Sequence, residues 1–181
     1  MLRGELTALR ARATSDAEIL HAELYDDVEE WLRGSHRPWT PVAPGPKSPY
    51  AVREDDQKDV LEVGVAEFSI VELISGDLAG SCALWGLDVH NRCGHIGIEL
   101  RPAFRGRGLG RDAVRVVCRY GFTILGMRRM QLETLADNAA MITVAERTGF
   151  TREGTLRQAS WVNGAFVDEV VFGLLADEFG R

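Results

Sequence analysis

Apolar and polar residues alternate over the short run from Leu6 to Ala11, which predicts a first strand. Ser15-Asp-Ala-Glu18 reads as a capping box, and apolar positions 19, 20, 24, 28, 31 and 32 then keep a roughly helical spacing up to Gly34. One helix, or two short ones broken at Tyr25-Asp-Asp, satisfy that spacing equally. The composition turns β-rich from Val60 to Ile74, with Phe68, Ile70 and Val71 at its centre. Ser75-Gly-Asp77 turns the chain into a strand from Leu78 to Leu87, and Asn91 to Gly94 turn it again into a strand ending at Leu100. Three consecutive strands of this kind predict an antiparallel meander.

Beyond Leu100 the period changes. Leu109, Ala113, Val116, Val117, Tyr120 and Ile124 form one helical stripe that ends near Gly126. Met130 to Leu135 alternates as a strand, and Asp137 or Asn138 caps a helix that runs to Thr148 and stops at Gly149. Asn163-Gly164 between Ser160-Trp-Val and Ala165-Phe-Val is the signature of a type I′ hairpin, and Val170 to Leu175 closes the sheet. This mixture of a meander, helices and a terminal hairpin is an α+β pattern.

One segment has no period. Five of the six prolines fall between positions 38 and 49, inside an irregular loop taken as 34–59, so regular structure is excluded there. The loop carries Trp39 and Tyr50, which are costly to leave in solvent, so it is expected to fold back on the domain. Long irregular segments in compact domains often form binding walls. Trp31, Trp39 and Tyr50 are therefore the candidates for an acceptor-binding wall.

Composition narrows the class further. At 181 residues, 45% hydrophobic and 27% charged, the chain is expected to form a single globular domain, 1–181. No run approaches the ~20 apolar residues of a membrane span. The charged start Met1-Leu-Arg-Gly-Glu-Leu does not resemble a secretory signal, so a cytoplasmic location without membrane partners is expected. Cys82, Cys93 and Cys118 have neither metal-ligand spacing nor an even count, so neither a metal nor a disulfide set is expected, and Cys82 and Cys118 are taken as core residues. The net charge of −6 argues against a nucleic-acid partner and mildly favours a cationic substrate.

The chemistry concentrates in Ile98-Glu-Leu-Arg-Pro-Ala-Phe-Arg-Gly-Arg-Gly-Leu-Gly110. A strand, a glycine-rich turn and a helix start in succession make an anion cradle, because backbone N–H groups and the helix dipole converge there. Arg105, Arg107 and Arg111 add positive charge, while Gly106, Gly108 and Gly110 let the backbone approach closely. A strict G-x-G-x-x-G pattern would need a glycine where Arg111 stands, and G-x-x-x-x-G-K-[ST] is absent. The looser form through Gly108, Gly110 and Ala113 belongs to a βαβ unit, whereas antiparallel-looking strands precede this loop.

What remains, Arg105-x-x-Gly108-x-Gly110, resembles the R/Q-x-x-G-x-G/A pyrophosphate loop of the GNAT superfamily of N-acetyltransferases. Asn138-Ala-Ala-Met-Ile-Thr-Val-Ala-Glu-Arg-Thr-Gly-Phe150 is similar to that family's second hallmark and begins 28 residues after Gly110, with one helix and one strand between. Glu153-Gly-Thr-Leu-Arg157 with Asp168 is similar to the RimJ/RimL-like branch. The resemblance implies the GNAT fold: a mixed sheet of about six or seven strands with helices on both faces, splayed between the fourth and fifth strands. It also implies acetyl-CoA as cosubstrate and direct transfer of its acetyl group to a primary amine, on a protein N-terminus or a small molecule, in a ternary complex. By that likeness Ile98, Leu100, Arg105, Gly106, Arg107, Gly108, Leu109, Gly110, Arg111 and Asn138 hold the coenzyme. The Leu100 N–H would polarise the thioester, and Asn138 would bond the pantetheine arm or serve as a plain N-cap.

The family's usual acid toward the leaving thiolate, a Tyr or a Ser, is replaced by Ala145 or Met141, so that role is unassigned. His95, Glu99 and Glu133 are the titratable groups near the expected centre. Glu99 is preferred over Glu133 as base, because it adjoins Leu100 and points away from the Ile98 side of its strand. The bland alternative for each is a rim carboxylate paired with arginine. A rival activity is acyl-CoA binding without transfer, as a sensor or scaffold, and a nucleotide-binding switch is disfavoured by the poor loop matches. The acceptor is left open, and a homodimer is possible.

Overall fold

The computed structural model describes residues 1–35, 37–52 and 59–180. Eight strands form one sheet: β1 (Leu2–Arg3), β2 (Thr7–Arg10), β3 (Val65–Glu72), β4 (Leu78–Asp88), β5 (Cys93–Leu100), β6 (Arg129–Leu135), β7 (Thr151–Val162) and β8 (Ala165–Leu175), in the order β1-β2-β3-β4-β5-β6-β8-β7. The helices are α1 (Thr14–Leu20), α2 (Val28–Gly34), α3 (Val60–Val63), α4 (Leu109–Arg119) and α5 (Ala139–Arg147). The predicted α+β class and the splayed sheet are both present. The two-residue β1 exceeds the predicted strand count, because pairing to β2 and not an apolar pattern makes it a strand.

Every pair of neighbours is antiparallel except β5 and β6. That parallel pair is short, joining Cys93 to Arg129, Gly94 to Met130 and His95 to Gln131 before the strands part. The parting opens a wedge beside Ile96–Leu100. Arg101 N–H donates to Ala79 O at 3.0 Å, so the odd-numbered residues of β5 bond toward β4. Backbone groups of Ile98 and Leu100 therefore point into the wedge.

The two sheet faces have different covers. On one, Ile98 and Leu100 pack with α4 in the larger core, whose fully buried members include Val114, Met130, Leu132 and Phe172. Gly110, in the first turn of α4, lies against Leu100, whose Cδ1 is 3.5 Å from where a Cβ on that glycine would stand. On the other face a smaller cluster of Leu20, Leu24, Tyr25, Trp31, Tyr50 and Leu78 is built from α1, the helical turn His21–Tyr25, α2, the proline segment and the start of β4.

Local corrections follow from side-chain chemistry. The predicted capping box at Ser15 and Glu18 is displaced: α1 begins at Thr14, and Asp16 accepts from Ala13 N at 2.8 Å. Asp16 is drawn inward by Arg10 (2.9 Å from Nη2) and by Ser69 Oγ at 2.8 Å. Val60–Val63 is a helical turn capped by Asp59 and not the start of a strand. β7 and β8 are each continuous, where the sequence suggests shorter pieces, and the Asn163–Gly164 turn has positive φ at both positions (47° and 85°) as type I′ requires. Of the loop expected over 34–59, Gly34 ends α2, Asp59 caps α3, and residues 36 and 53–58 lie outside the described residues. The rest folds back as expected, with Ser48, Tyr50 and Ala51 buried. Among the described residues no helix is long and apolar enough to cross a membrane.

Asp16 gives a pH prediction. Burial pushes its carboxyl up, but the Arg10, Ala13 and Ser69 hydrogen bonds prevail and bring it to about 2. A depressed carboxyl stabilises the fold above its unfolded pKa, by roughly 2 kcal/mol here, and that contribution disappears as pH falls from about 4 toward 2. Urea titrations should therefore separate wild type from Asp16→Asn at neutral pH, with the gap closing in strong acid. A gap independent of pH would assign the effect to packing alone.

Candidate active site

A cavity of about 580 Å³ runs through the wedge. Its inner end is walled by Ile96, Ile98, Thr134, Asn138 and Met141, and its outer end by Trp31, Gly34, Pro49, Tyr50 and Glu99. It thus joins the face where α4 packs to the face where the proline segment packs.

The odd-numbered residues of β5 face the outer end. Glu99 lies there, partly buried, and accepts a hydrogen bond from the Tyr50 hydroxyl. Burial raises the Glu99 carboxyl above the ordinary carboxylate range, against the opposing pull of the Tyr50 bond and the Arg12 charge. A carboxylate moved toward neutrality is better matched to general-base work. Gly34, at the end of α2, leaves the other carboxylate oxygen approachable: a Cβ there would sit 3.6 Å from Glu99 Oε1.

Around Glu99 the floor is polar and largely paired. Arg12, with its side chain 4% exposed, donates to Ser81 Oγ at 2.7 Å, lies 3.3 Å from Glu67 and rests 5.6 Å above the Tyr50 ring. Glu133 is bound by His95 Nδ1 at 3.2 Å and by Gln131 Nε2 at 2.5 Å, and His95 stacks on Trp85 at 4.5 Å. Glu133 thus lines the cavity as part of a cluster, whereas Glu99 has its phenol partner and an open side. Cys82 also lines the cavity, but burial pushes its thiol up to about 12, which suits a core residue and not a nucleophile.

The glycine-rich loop sits at the C-terminal end of β5 and is not part of the cavity lining. Gly106 and Gly108 have φ of 72° and 80°, a left-handed conformation that side chains resist, and Gly108 is the N-cap of α4. The arginine side chains are largely committed elsewhere. Arg105 donates to Leu100 O at 2.9 Å and pairs with Glu30 at 3.1 Å, while Arg107 pairs with Glu72 at 2.5 Å. Arg111 is exposed, and Leu109 is buried in the core with only its backbone at the helix start. The loop's capacity to hold an anion therefore rests mainly on backbone N–H groups.

Asn138 is the N-cap of α5: its Oδ1 accepts from Met141 N at 3.1 Å and its Nδ2 donates to Thr134 Oγ1 at 3.0 Å. The second Nδ2 hydrogen keeps a ligand contact chemically possible. Among the predicted aromatic wall, Trp31 and Tyr50 line the cavity and Trp39 does not. Trp39 is a backing residue, 6.0 Å from the Tyr25 ring, with its indole N–H bonded to Tyr25 O at 3.0 Å. Its polar end is satisfied by that carbonyl, which turns it away from the site. Arg12, Gly34, Glu67, Ser81 and Trp85 escape sequence reasoning. Strand alternation offers a faint signal for Glu67, Ser81 and Trp85, but only the β3-β4-β5 register aligns them with Glu99.

Comparison with known proteins bears on this geometry. Residues 7–151 match the family model described as an acetyltransferase (GNAT) domain. The chain is 26% identical over 175 residues to the uncharacterized N-acetyltransferase p20 of Bacillus licheniformis, covering 97% of this chain and 96% of that one. The spermidine N-acetyltransferase of Vibrio cholerae, in complex with CoA and spermine, superposes with a TM-score of 0.77 at 20% identity, covering 97% of this chain and 99% of that one. Mycobacterium smegmatis RimJ, in complex with CoA-disulfide, has a TM-score of 0.78 at 20% identity, covering 97% and 84%. The last two are likenesses of fold.

Proposed function

The chain belongs to the GNAT acetyltransferase family and is an N-acetyltransferase, and on that premise we propose that it moves the acetyl group of acetyl-CoA directly to a primary amine, with Glu99 as the base. The observation that carries this reading is the wedge between β5 and β6, whose cavity ends beside a carboxylate raised by burial.

Acetyl-CoA would lay its pantetheine between the parted strands, with its pyrophosphate against the N–H groups of Gly106–Gly110. The Leu100 N–H, aimed into the wedge, would donate to the thioester carbonyl and stabilise charge gathering on its oxygen. Asn138 would keep its capping bond and offer its remaining hydrogen to the pantetheine arm. The acceptor amine would enter between Trp31, Gly34 and Tyr50, where Glu99 takes a proton from it. Holding amine and thioester in one channel supplies the orientation that a bimolecular reaction lacks. The cavity is lined by Glu67, Glu99, Glu133 and Glu169 and also by Arg12, Arg33 and Arg37, so its charge is mixed, and the acceptor is a free small amine or a protein N-terminus placed by Glu99 rather than drawn in by net charge.

The test is an acetyl-transfer screen against N-terminal peptides, polyamines and aminoglycosides, with coenzyme binding measured in parallel. Turnover with one amine class supports the reading. Tight acetyl-CoA binding with no turnover on any class would point instead to a sensor or scaffold. For the loop, Gly108→Val should weaken acetyl-CoA binding at least tenfold, about 1.4 kcal/mol, because valine resists the φ of 80° at the helix N-cap. Calorimetry showing unchanged affinity in the folded variant would remove the loop from the coenzyme site.

A further inference from the structure

Acetyl transfer moves a proton as well as an acyl group. The amine nitrogen forms a C–N bond as the C–S bond breaks, and the proton it sheds must be matched by one arriving at sulfur. Glu99 can accept the first, but the α5 residue that lines the cavity is Met141, a thioether, and Ala145 is fully buried.

Other hydroxyls that line the cavity have partners away from the candidate base. Ser81 accepts from Arg12 at 2.7 Å, Thr134 accepts from Asn138 at 3.0 Å, and Ser160 donates to Glu169. Tyr50 differs, because its hydroxyl donates to the candidate base itself. Its position is also firmly set. The ring meets Trp31 edge-on at 6.4 Å, the Arg12 guanidinium lies over it, and its backbone N–H donates to Ser48 Oγ at 3.1 Å. Ser48 is in turn 2.8 Å from the buried His21 Nδ1, which ties the proline segment to the helices.

We propose that Tyr50 is a catalytic residue, forming with Glu99 a relay that carries the proton from the amine nitrogen to the departing sulfur. This rests on the acetyl-transfer reading above. While Glu99 is charged, the phenol hydrogen is held on its carboxylate. Once Glu99 takes the amine proton that acceptor is lost, and the phenol gives its hydrogen to sulfur as it takes the carboxyl proton in exchange. An acceptor that arrives as an ammonium first gives one proton to solvent; from the neutral amine one proton then leaves nitrogen through Glu99, one reaches sulfur, and both side chains end as they began. Burial and the Glu99 charge push the Tyr50 hydroxyl well above the ordinary phenol range, so it does not release its proton alone. An exchange avoids any free phenolate.

Tyr50→Phe keeps the ring and its packing while deleting the relay oxygen. Turnover should fall at least about tenfold, with acetyl-CoA affinity unchanged, and Tyr50→Phe combined with Glu99→Gln should be no slower than Glu99→Gln alone. In mixtures of light and heavy water the wild-type rate should curve with deuterium fraction, as two protons in flight require, and the Tyr50→Phe rate should be linear. A merely structural tyrosine would not change that curvature. Wild-type turnover accompanied by an unchanged Tyr50→Phe rate, additive losses or a linear wild-type plot would overturn the relay alone. Absence of wild-type turnover on every amine would overturn the transfer reading and the relay with it.

Discussion

Glu99→Gln should lower turnover near neutral pH by about a hundredfold or more, in the range expected for loss of a positioned base. Acetyl-CoA affinity should barely change, since the side chain faces the acceptor end and not the α4 side of the wedge. Burial raises this carboxyl, so the wild-type rate should climb with pH through a limb above the ordinary carboxylate range as Glu99 becomes charged. The glutamine variant should lack that limb and recover only at high pH, where the free amine is common. If it kept the wild-type pH–rate profile, the base would have to be Glu133 with its His95 partner, or ordered water.

Asp112→Ala should be the most destabilising of the changes considered, by on the order of 3 kcal/mol. The carboxylate accepts from the N–H groups of Glu5, Leu6 and Thr7 at 3.0, 3.0 and 2.8 Å and from Thr7 Oγ1 at 2.7 Å. It thereby pins the β1–β2 turn to the first helical turn of α4. Gly4 packs so tightly against it that a Cβ there would overlap the carboxylate. Removing the acceptor strands several donors at once, one of them on the fully buried Thr7. A urea midpoint for Asp112→Ala close to wild type would mean that water replaces the carboxylate without cost. The loss should also mimic acidification, because the Thr7 and backbone bonds outweigh burial and hold this carboxyl low, so its contribution fades as pH falls below the ordinary carboxylate range.

Much of the element sequence can be read from spacing because its causes are local. The α4 stripe from Leu109, the Asn138 cap and the Asn163–Gly164 turn each depend on residues within a few positions of one another. The Gly108 conformation belongs to the same class, since a left-handed helix N-cap calls for glycine whatever surrounds it. Where a neighbour distant in sequence intervenes, local reading fails. Asp16 displaces the expected Ser15 cap because Arg10 and Ser69 draw it inward. Trp39 leaves the expected wall because a carbonyl on Tyr25 satisfies it.

By itself, then, the sequence determined the family, the order of the longer strands and helices from β3 onward, the glycine loop, and the side of β5 on which Glu99 projects, since period-two alternation decides the last without reference to any partner strand. Only the tertiary structure decided what Glu99 meets. The Tyr50 hydroxyl arrives from 49 residues away along the chain, through an aperiodic segment whose prolines forbid regular structure but do not specify a path. That path follows from burying Trp31, Tyr50 and Tyr25 in one cluster and from the Ser48–His21 hydrogen bond. Glu67 and Ser81 likewise share a face only through the β3-β4 register, and Arg12, two residues past β2, reaches both. Packing and hydrogen bonding between distant segments are cooperative, so no local pattern carries them.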